Sequence, residues 1–282
     1  MIAFPRQTDG IKSRNFDSVD DAGDPKPGQS IGTRLAAWLV EPRRWRKGED
    51  LVSKPGKGVV KAEPAPIELD FARTALVIID MQRDFLEPGG FGETLGNDVS
   101  QLSRAVKPVA AVLAAARENG LLVIHTREGH LPDLSDAPPA KVERGAPSLR
   151  IGDPGPMGRI LIRGEAGHDI VPALYPLKSE IVIDKPGKGA FYATELGAVL
   201  EQHGIENLVV CGVTTEVCVH TTIREGNDRG YRCVALADGC ASYFPEFHDM
   251  GLRMIKAQGG IFGWVSDSAS LLEALAAARM AA

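Results

Sequence analysis

Three side chains in the sequence could together form a nucleophilic centre: Asp80 in "VIIDMQRDF", Lys185 in "VIDKPGKG" and Cys218 in "GVTTEVCV". Each follows a short β-rich run, where a parallel sheet would bring carboxylate, ammonium and thiol to one edge. A thiol with a pKa of roughly 8.5 is a poor nucleophile until ionised. The spacing predicts Cys218 in the first turn of a helix, whose free N–H groups and dipole favour a thiolate. Asp80 would accept the thiol proton and pass it to a leaving amine, while Lys185 would keep carboxylate and thiolate from repelling each other. The tight turn "GVTT" would aim backbone N–H groups at an oxyanion. Singly, each residue has a plainer reading: a strand-end Asp caps a turn, a strand-end Lys is solvated, a Cys at a helix start packs. Their shared location is what favours chemistry.

The elements that must position them are legible as alternating runs. "TALVIID" (74 to 80), "LLVIHTR" (121 to 127), "EIVID" (180 to 184), "NLVVCGV" (207 to 213), "YRCVALA" (231 to 237) and "IFGWVS" (261 to 266) read as strands. Segments with apolar spacing of three and four, such as "SQLSRAVKPVAAVLAAARENG", "ATELGAVLEQHG", "EVCVHTTIREGNDRG" and "PEFHDMGLRMIKAQGG", read as helices, with "SASLLEALAAARM" after the last strand. Nearly continuous apolar strands imply that both sheet faces are covered, hence a parallel α/β sandwich. The Pro- and Gly-rich stretch 128 to 179 is too long for an inert connector and reads as a lid or binding loop. Residues 1 to 70, rich in Pro, Gly and charge, read as an extension to the main domain at 71 to 282. Its Trp38 and Trp45 are expected to dock on the domain or on a neighbouring subunit, a disordered tail being the alternative.

The 282 residues are 44% apolar and 24% charged with a net charge of −5, enough to bury a large core without disulfides or metal. Slight acidity disfavours a nucleic-acid or anionic-membrane partner. No apolar run approaches the ~18 residues of a spanning helix, and the amino terminus lacks a secretion signal, so a cytoplasmic protein acting on a small molecule is expected. The four cysteines contain no Cys-x-x-Cys pair. Cys211 and Cys233 lie within apolar strands and read as packing; Cys240, after a turn, is unassigned.

"ALVIIDMQRDF", "IDKPGKGAFYATEL" and "VVCGVTTEVCVHTTIREGNDRGY" resemble the isochorismatase-like cysteine hydrolases, over about residues 72 to 280. The resemblance implies a six-stranded parallel sheet in the order 3-2-1-4-5-6 between helices, and a catalytic triad of Asp80, Lys185 and Cys218. It also implies a cis peptide between Val213 and Thr214, and an oxyanion held by the N–H groups of Thr214 and Cys218. Nicotinamidases of the family carry an Asp-x-His metal cluster after the second strand. Here that region reads "HTREGHLPDL", with His125 and His130 at another spacing, so neither metal nor other cofactor is expected. His125 reads as a strand-end residue and His130 as a loop or pocket residue. Members that cleave the vinyl ether of isochorismate lack the cysteine, so Cys218 points to amide hydrolysis through a thioester.

Among the amidohydrolases of the family, "REGNDRGY", "HTREGHLPDL" and "IGDPGPMGRILIRGE" look more like the biuret and triuret hydrolases than like the ureidoacrylate type. Hydrolysis of biuret or triuret with release of ammonia is therefore the expectation. The alternative is a ureidoacrylate-like or other N-carbamoyl amidase, whose carboxylate substrate would need a cation besides Lys185, from Arg127 or Lys188. The resemblance further implies substrate contacts from Gln258 and an aromatic wall from Phe85, with Lys188 and Phe191 lining the pocket. An amide at Gln258 can donate to a urea carbonyl and accept from its NH2 groups, though a solvated glutamine at a helix end fits equally. Family members often assemble as tetramers, which implies a homo-oligomer.

Overall fold

The computed structural model describes residues 55 to 281, so Trp38, Trp45 and most of the expected extension lie outside the described residues. The first elements are a hairpin, β1 (Lys57–Val60) and β2 (Ile67–Asp70), paired antiparallel. Both strands fall in the stretch expected to be extension. Yet Val60, Ile67 and Leu69 are buried in the main core, because alternate positions of the hairpin face inward against the last helix.

Six strands then form one sheet: β3 (Thr74–Ile79), β4 (Leu122–Glu128), β5 (Ile181–Lys185), β6 (Asn207–Val213), β7 (Arg232–Ala241) and β8 (Trp264–Ser266). Their spatial order is β8-β7-β6-β3-β4-β5 and every pairing is parallel, which is the expected 3-2-1-4-5-6 arrangement. The central strands β3 and β6 are buried at every residue, as apolar runs covered on both faces must be.

Side-chain alternation along β3 divides the core. Leu76 and Ile78 face α1 (Val106–Glu118) and α5 (Ser268–Met280), whereas Ala75, Val77 and Ile79 face α2 (Leu196–Gln202), α3 (His220–Asp228) and α4 (Pro245–Gly260). Pro108 falls in the first turn of α1, where its missing N–H would have had no helical partner. Truncating a fully buried residue such as Leu76 to Ala would cost about 2–5 kcal/mol.

The long stretch between β4 and β5 contains little regular structure: a helical turn at Pro139–Val142, a two-residue hairpin ladder pairing Pro154 with Arg159, and a 3-10 turn at Pro172–Leu174. It is nonetheless stitched to the chain after β3. Arg83 N–H donates to the Asp169 carbonyl at 2.9 Å, and Asp84 N–H to the Gly167 carbonyl at 2.8 Å. This loop therefore forms one wall of the space beyond the carboxyl ends of β3, β4 and β5. Among the described residues no helix is long and apolar enough to cross a membrane.

Candidate active site

Asp80 directly follows β3 and stands in the left-handed region at φ 48°, a conformation that Asp tolerates better than most residues. Its N–H reaches the Thr126 carbonyl of β4 at 3.2 Å, so the neighbouring strand fixes the bend. The carboxylate is fully buried. Thr126 Oγ1 donates to its Oδ1 at 2.7 Å, and Lys185 Nζ, at the end of β5, pairs with its Oδ2 at 2.7 Å. Lys185 is itself fully buried and also donates to the Gly187 carbonyl at 3.0 Å. Burial pulls the Lys185 ammonium down, but attraction to Asp80, Cys218 and Glu128 outweighs it and holds the group above the ordinary lysine value.

Cys218 arrives from β6. Gly212, at φ 114°, lets that strand pass so close to β3 that an added Cβ would lie 2.1 Å from the Ile79 carbonyl oxygen. A cis peptide joins Val213 to Thr214. The chain then makes a π-type turn over Thr215–Val219 before α3 begins at His220. Cys218 thus sits in an expanded turn rather than in the first turn of an α-helix. Thr222 Oγ1 donates to the Cys218 carbonyl at 2.7 Å and accepts from Ala190 N–H at 3.0 Å, tying the turn to the segment after β5.

The packed surroundings work against the thiolate expected from a helix start. Burial pushes the Cys218 thiol well up, and Asp80 and Glu128 add to this against the opposing pull of Lys185 and Lys188. Attack therefore requires a proton acceptor at the moment of bond formation, and two carboxylates are in place. Oxygens of Asp80 and Glu128 and the Cys218 sulfur all lie within 4.8 Å of one another. Such a trio could in principle ligate a cation, but Lys185 Nζ already places a positive charge 2.7 Å from Asp80 and 4.0 Å from Glu128. A metal ion would have to displace it.

Glu128 is the residue that sequence reasoning missed. It closes β4 two positions after Thr126, so both side chains point to the same face, and it is buried. Cys218 Sγ donates to its Oε2 across 3.6 Å. Lys188 reaches both oxygens, at 2.7 and 2.9 Å, and Lys141, from the turn at Pro139–Val142, reaches Oε1 at 3.2 Å. Burial alone would raise the Glu128 pKa; Lys185, Lys188 and Lys141 overcome it and hold the carboxyl down at about 2. Gln82 pins the backbone here, its Nε2 donating to the Glu128 carbonyl at 3.0 Å and its Oε1 accepting from the Glu128 N–H at 2.7 Å. The rule that ligand groups cluster at strand carboxyl ends applies to Glu128 as it does to Asp80 and Lys185.

Asp80, Lys185, Cys218 and Lys188 are thus brought together, and Thr214 lies at the turn that carries Cys218. Other expected residues have these surroundings. Phe191 stacks on Tyr231 with ring centroids 5.9 Å apart and lies under the Arg229 guanidinium at 4.8 Å, at the end where β7 begins. Gln258 is exposed at φ 51° near the end of α4. There Ala257, Gln258 and Gly259 depart from helical geometry and break the helix. Phe85 is half-buried between the main core and a small cluster of Ile151, Ile160, Leu161 and Ile162. Arg127 points to the other face of β4, with Nε 2.7 Å from Asp184 and Nη1 3.3 Å from Asp169.

The histidines have structural partners. His125 lies within β4, 3.1 Å from Glu180, and His130 is buried 3.1 Å from Asp136. Cys211, Cys233 and Cys240 are buried free thiols within the sheet, Cys240 on the end of β7.

The isochorismatase domain model matches residues 74–270. Curated relatives include the ureidoacrylate amidohydrolase RutB of Acinetobacter baylyi, 34% identical over 236 residues, spanning 79% of this chain and 92% of the relative. The protein of the same name from Methylobacterium radiotolerans is 34% identical over 239 residues, spanning 80% and 88%. Among solved structures, a cysteine hydrolase from Pseudomonas syringae pv. phaseolicola superposes with a TM-score of 0.64 at 28% identity, over 74% of this chain and 95% of that one. An isochorismatase family protein from Desulfovibrio vulgaris gives 0.60 at 28% identity, over 72% and 98%.

Proposed function

From the premise that the chain belongs to the isochorismatase family, as a hydrolase of amide C–N bonds, we propose that its substrate is a small N-carbamoyl compound carrying a carboxylate, of the ureidoacrylate type. The observation that carries this reading is a charge imbalance. Around a neutral thiol, two carboxylates, Asp80 and Glu128, are set against three ammonium groups, Lys185, Lys188 and Lys141. A site of low dielectric with one cation in excess favours an anionic guest over a neutral one. Biuret and triuret, suggested by the motif resemblance, are uncharged and would leave the excess unanswered. The relatives at 34% identity likewise favour the ureido acid.

In this mechanism the Cys218 thiol gives its proton to Asp80 as Sγ bonds to the carbamoyl carbon, whose C=O electrons move to oxygen. The N–H groups of Thr214 and Cys218 hold the oxyanion. The C–N bond then breaks, the amine nitrogen takes the proton from Asp80, and a carbamoyl thioester remains on sulfur. Water, deprotonated by Asp80, cleaves the thioester, restoring the thiol and releasing carbamate, which decomposes to ammonia and carbon dioxide. Lys185 stays protonated throughout and holds Asp80 in place.

The test is a comparison of kcat/KM for 3-ureidoacrylate, biuret and triuret on the purified protein. At least tenfold preference for the ureido acid is expected. Faster turnover of biuret or triuret would overturn the reading.

A further inference from the structure

Lys141 belongs to no strand end and to no motif that marks the triad. It is carried by the stretch between β4 and β5, on a helical turn whose entry is fixed by Pro138 and Pro139. From there its side chain enters the site and is only 13% exposed. Nζ lies 3.2 Å from Glu128 Oε1 and donates to the Pro186 carbonyl. Lys188, on the segment after β5, lies 2.7 Å from that same Oε1.

Two ammonium groups therefore converge on one carboxylate oxygen. Like charges so close repel unless anions answer both, and Glu128 is one carboxylate shared among them: its other oxygen is already taken by Lys188, the sulfur and Lys185. Burial also lowers the Lys141 ammonium below the ordinary lysine value, with Glu128 acting in the opposite direction. Its ammonium carries three N–H donors, and Glu128 and Pro186 are the acceptors set against it. Lys141 and the Cys218 sulfur contact opposite oxygens of the same Glu128 carboxylate, at 3.2 and 3.6 Å.

We propose that Lys141 is a specificity residue: together with Lys188 it forms a two-cation fork that receives the substrate carboxylate, supplied by the connecting stretch rather than by the sheet. The inference rests on the N-carbamoyl acid reading above and adds the residue that enforces it. It also gives the stretch from 128 to 179 a chemical role, since chains that alter this turn would change substrate choice while keeping the triad.

The test is calorimetric binding of 3-ureidopropanoate and its neutral counterpart 3-ureidopropanamide to the full chain carrying Cys218→Ala, which blocks turnover. The Cys218→Ala protein is expected to bind the acid at least ten times more tightly than the amide. Adding Lys141→Met should bring the ratio to within about twofold, and Lys141→Arg should keep most of it. If the acid and amide bind equally to Cys218→Ala, or neither binds, the carboxylate reading itself falls. If that protein prefers the acid and Lys141→Met leaves the preference intact, the role of Lys141 falls while the reading stands. Retention of the far-ultraviolet spectrum and melting temperature by Lys141→Arg guards against misreading an unfolded variant.

Discussion

Cys218 Sγ lies 3.6 Å from Glu128 Oε2, and that carboxylate is in turn gripped by Lys188 at 2.7 Å and Lys141 at 3.2 Å. The thiol proton thus points at a carboxylate that is firmly ionised and a poor base, while Asp80 stands on the other side of Lys185. The two acids divide their work. On the proposed mechanism Glu128 orients the thiol and Asp80 receives its proton.

Glu128→Gln tests this division. Losing a charge-assisted contact of about 1.5–3 kcal/mol should lower kcat/KM by about 10- to 100-fold. The same change removes one of the negative charges that push the thiol up, so Cys218 in the variant should be alkylated by iodoacetamide faster than in the wild type near pH 8. Slower alkylation together with unchanged turnover would contradict the assignment.

The Asp80 and Lys185 pair is fully buried, so breaking it from one side leaves a lone charge in the core. Lys185→Met is expected to cost about 3–5 kcal/mol in urea unfolding. Asp80→Asn should abolish turnover. The double variant should be less destabilised than the sum of the two single changes, by at least about 1 kcal/mol; strict additivity would mean the two charges are not coupled.

Gly212→Ala would put a methyl group against the Ile79 carbonyl at a backbone angle hostile to side chains. A loss of about 3 kcal/mol or more is expected in chemical denaturation. Gly56→Ala is the control: nothing lies within 4 Å and the φ is ordinary, so its effect should stay within about 0.5 kcal/mol.

His168 is buried beside Asp184 and against Gly129, and burial brings its pKa down to about 4. The unfolded chain therefore binds a proton here that the folded chain does not, between pH 6.5 and 4. Stability from this residue is complete above pH 6.5 and is lost as the pH falls toward 4, by up to about 3 kcal/mol. Melting temperature should decline over that interval in the wild type and more gently in His168→Gln. Identical slopes would show that another group dominates.

Much of the site was legible because Asp80, Lys185 and Cys218 each follow an apolar run, and strand ends are positions a one-dimensional pattern can mark. Glu128 occupies a fourth such position but sits inside "HTREGH", where the histidines carry the more familiar signal. Lys141 has no periodicity to announce it, since only the irregular path of a long connection brings it inward. Phe191 and Gln258 depended on resemblance rather than on pattern: Phe191 follows Ala190, whose segment is tied to the Cys218 turn, while its ring stacks on Tyr231, and Gln258 is exposed where α4 leaves helical geometry. The thiolate expectation weighed the helix dipole without the burial and the two nearby acids, which only the packed structure reveals.

The pairing of β3 with β6 joins Thr74 to Asn207, with α1, β4, β5 and α2 all lying between them in the chain. A chain leaving the ribosome carries Asp80 and Glu128 long before it carries Cys218, and the docking of β6 beside β3 is what closes the gap. The site is complete only once this long-range strand pairing has formed, a class of contact that forms slowly.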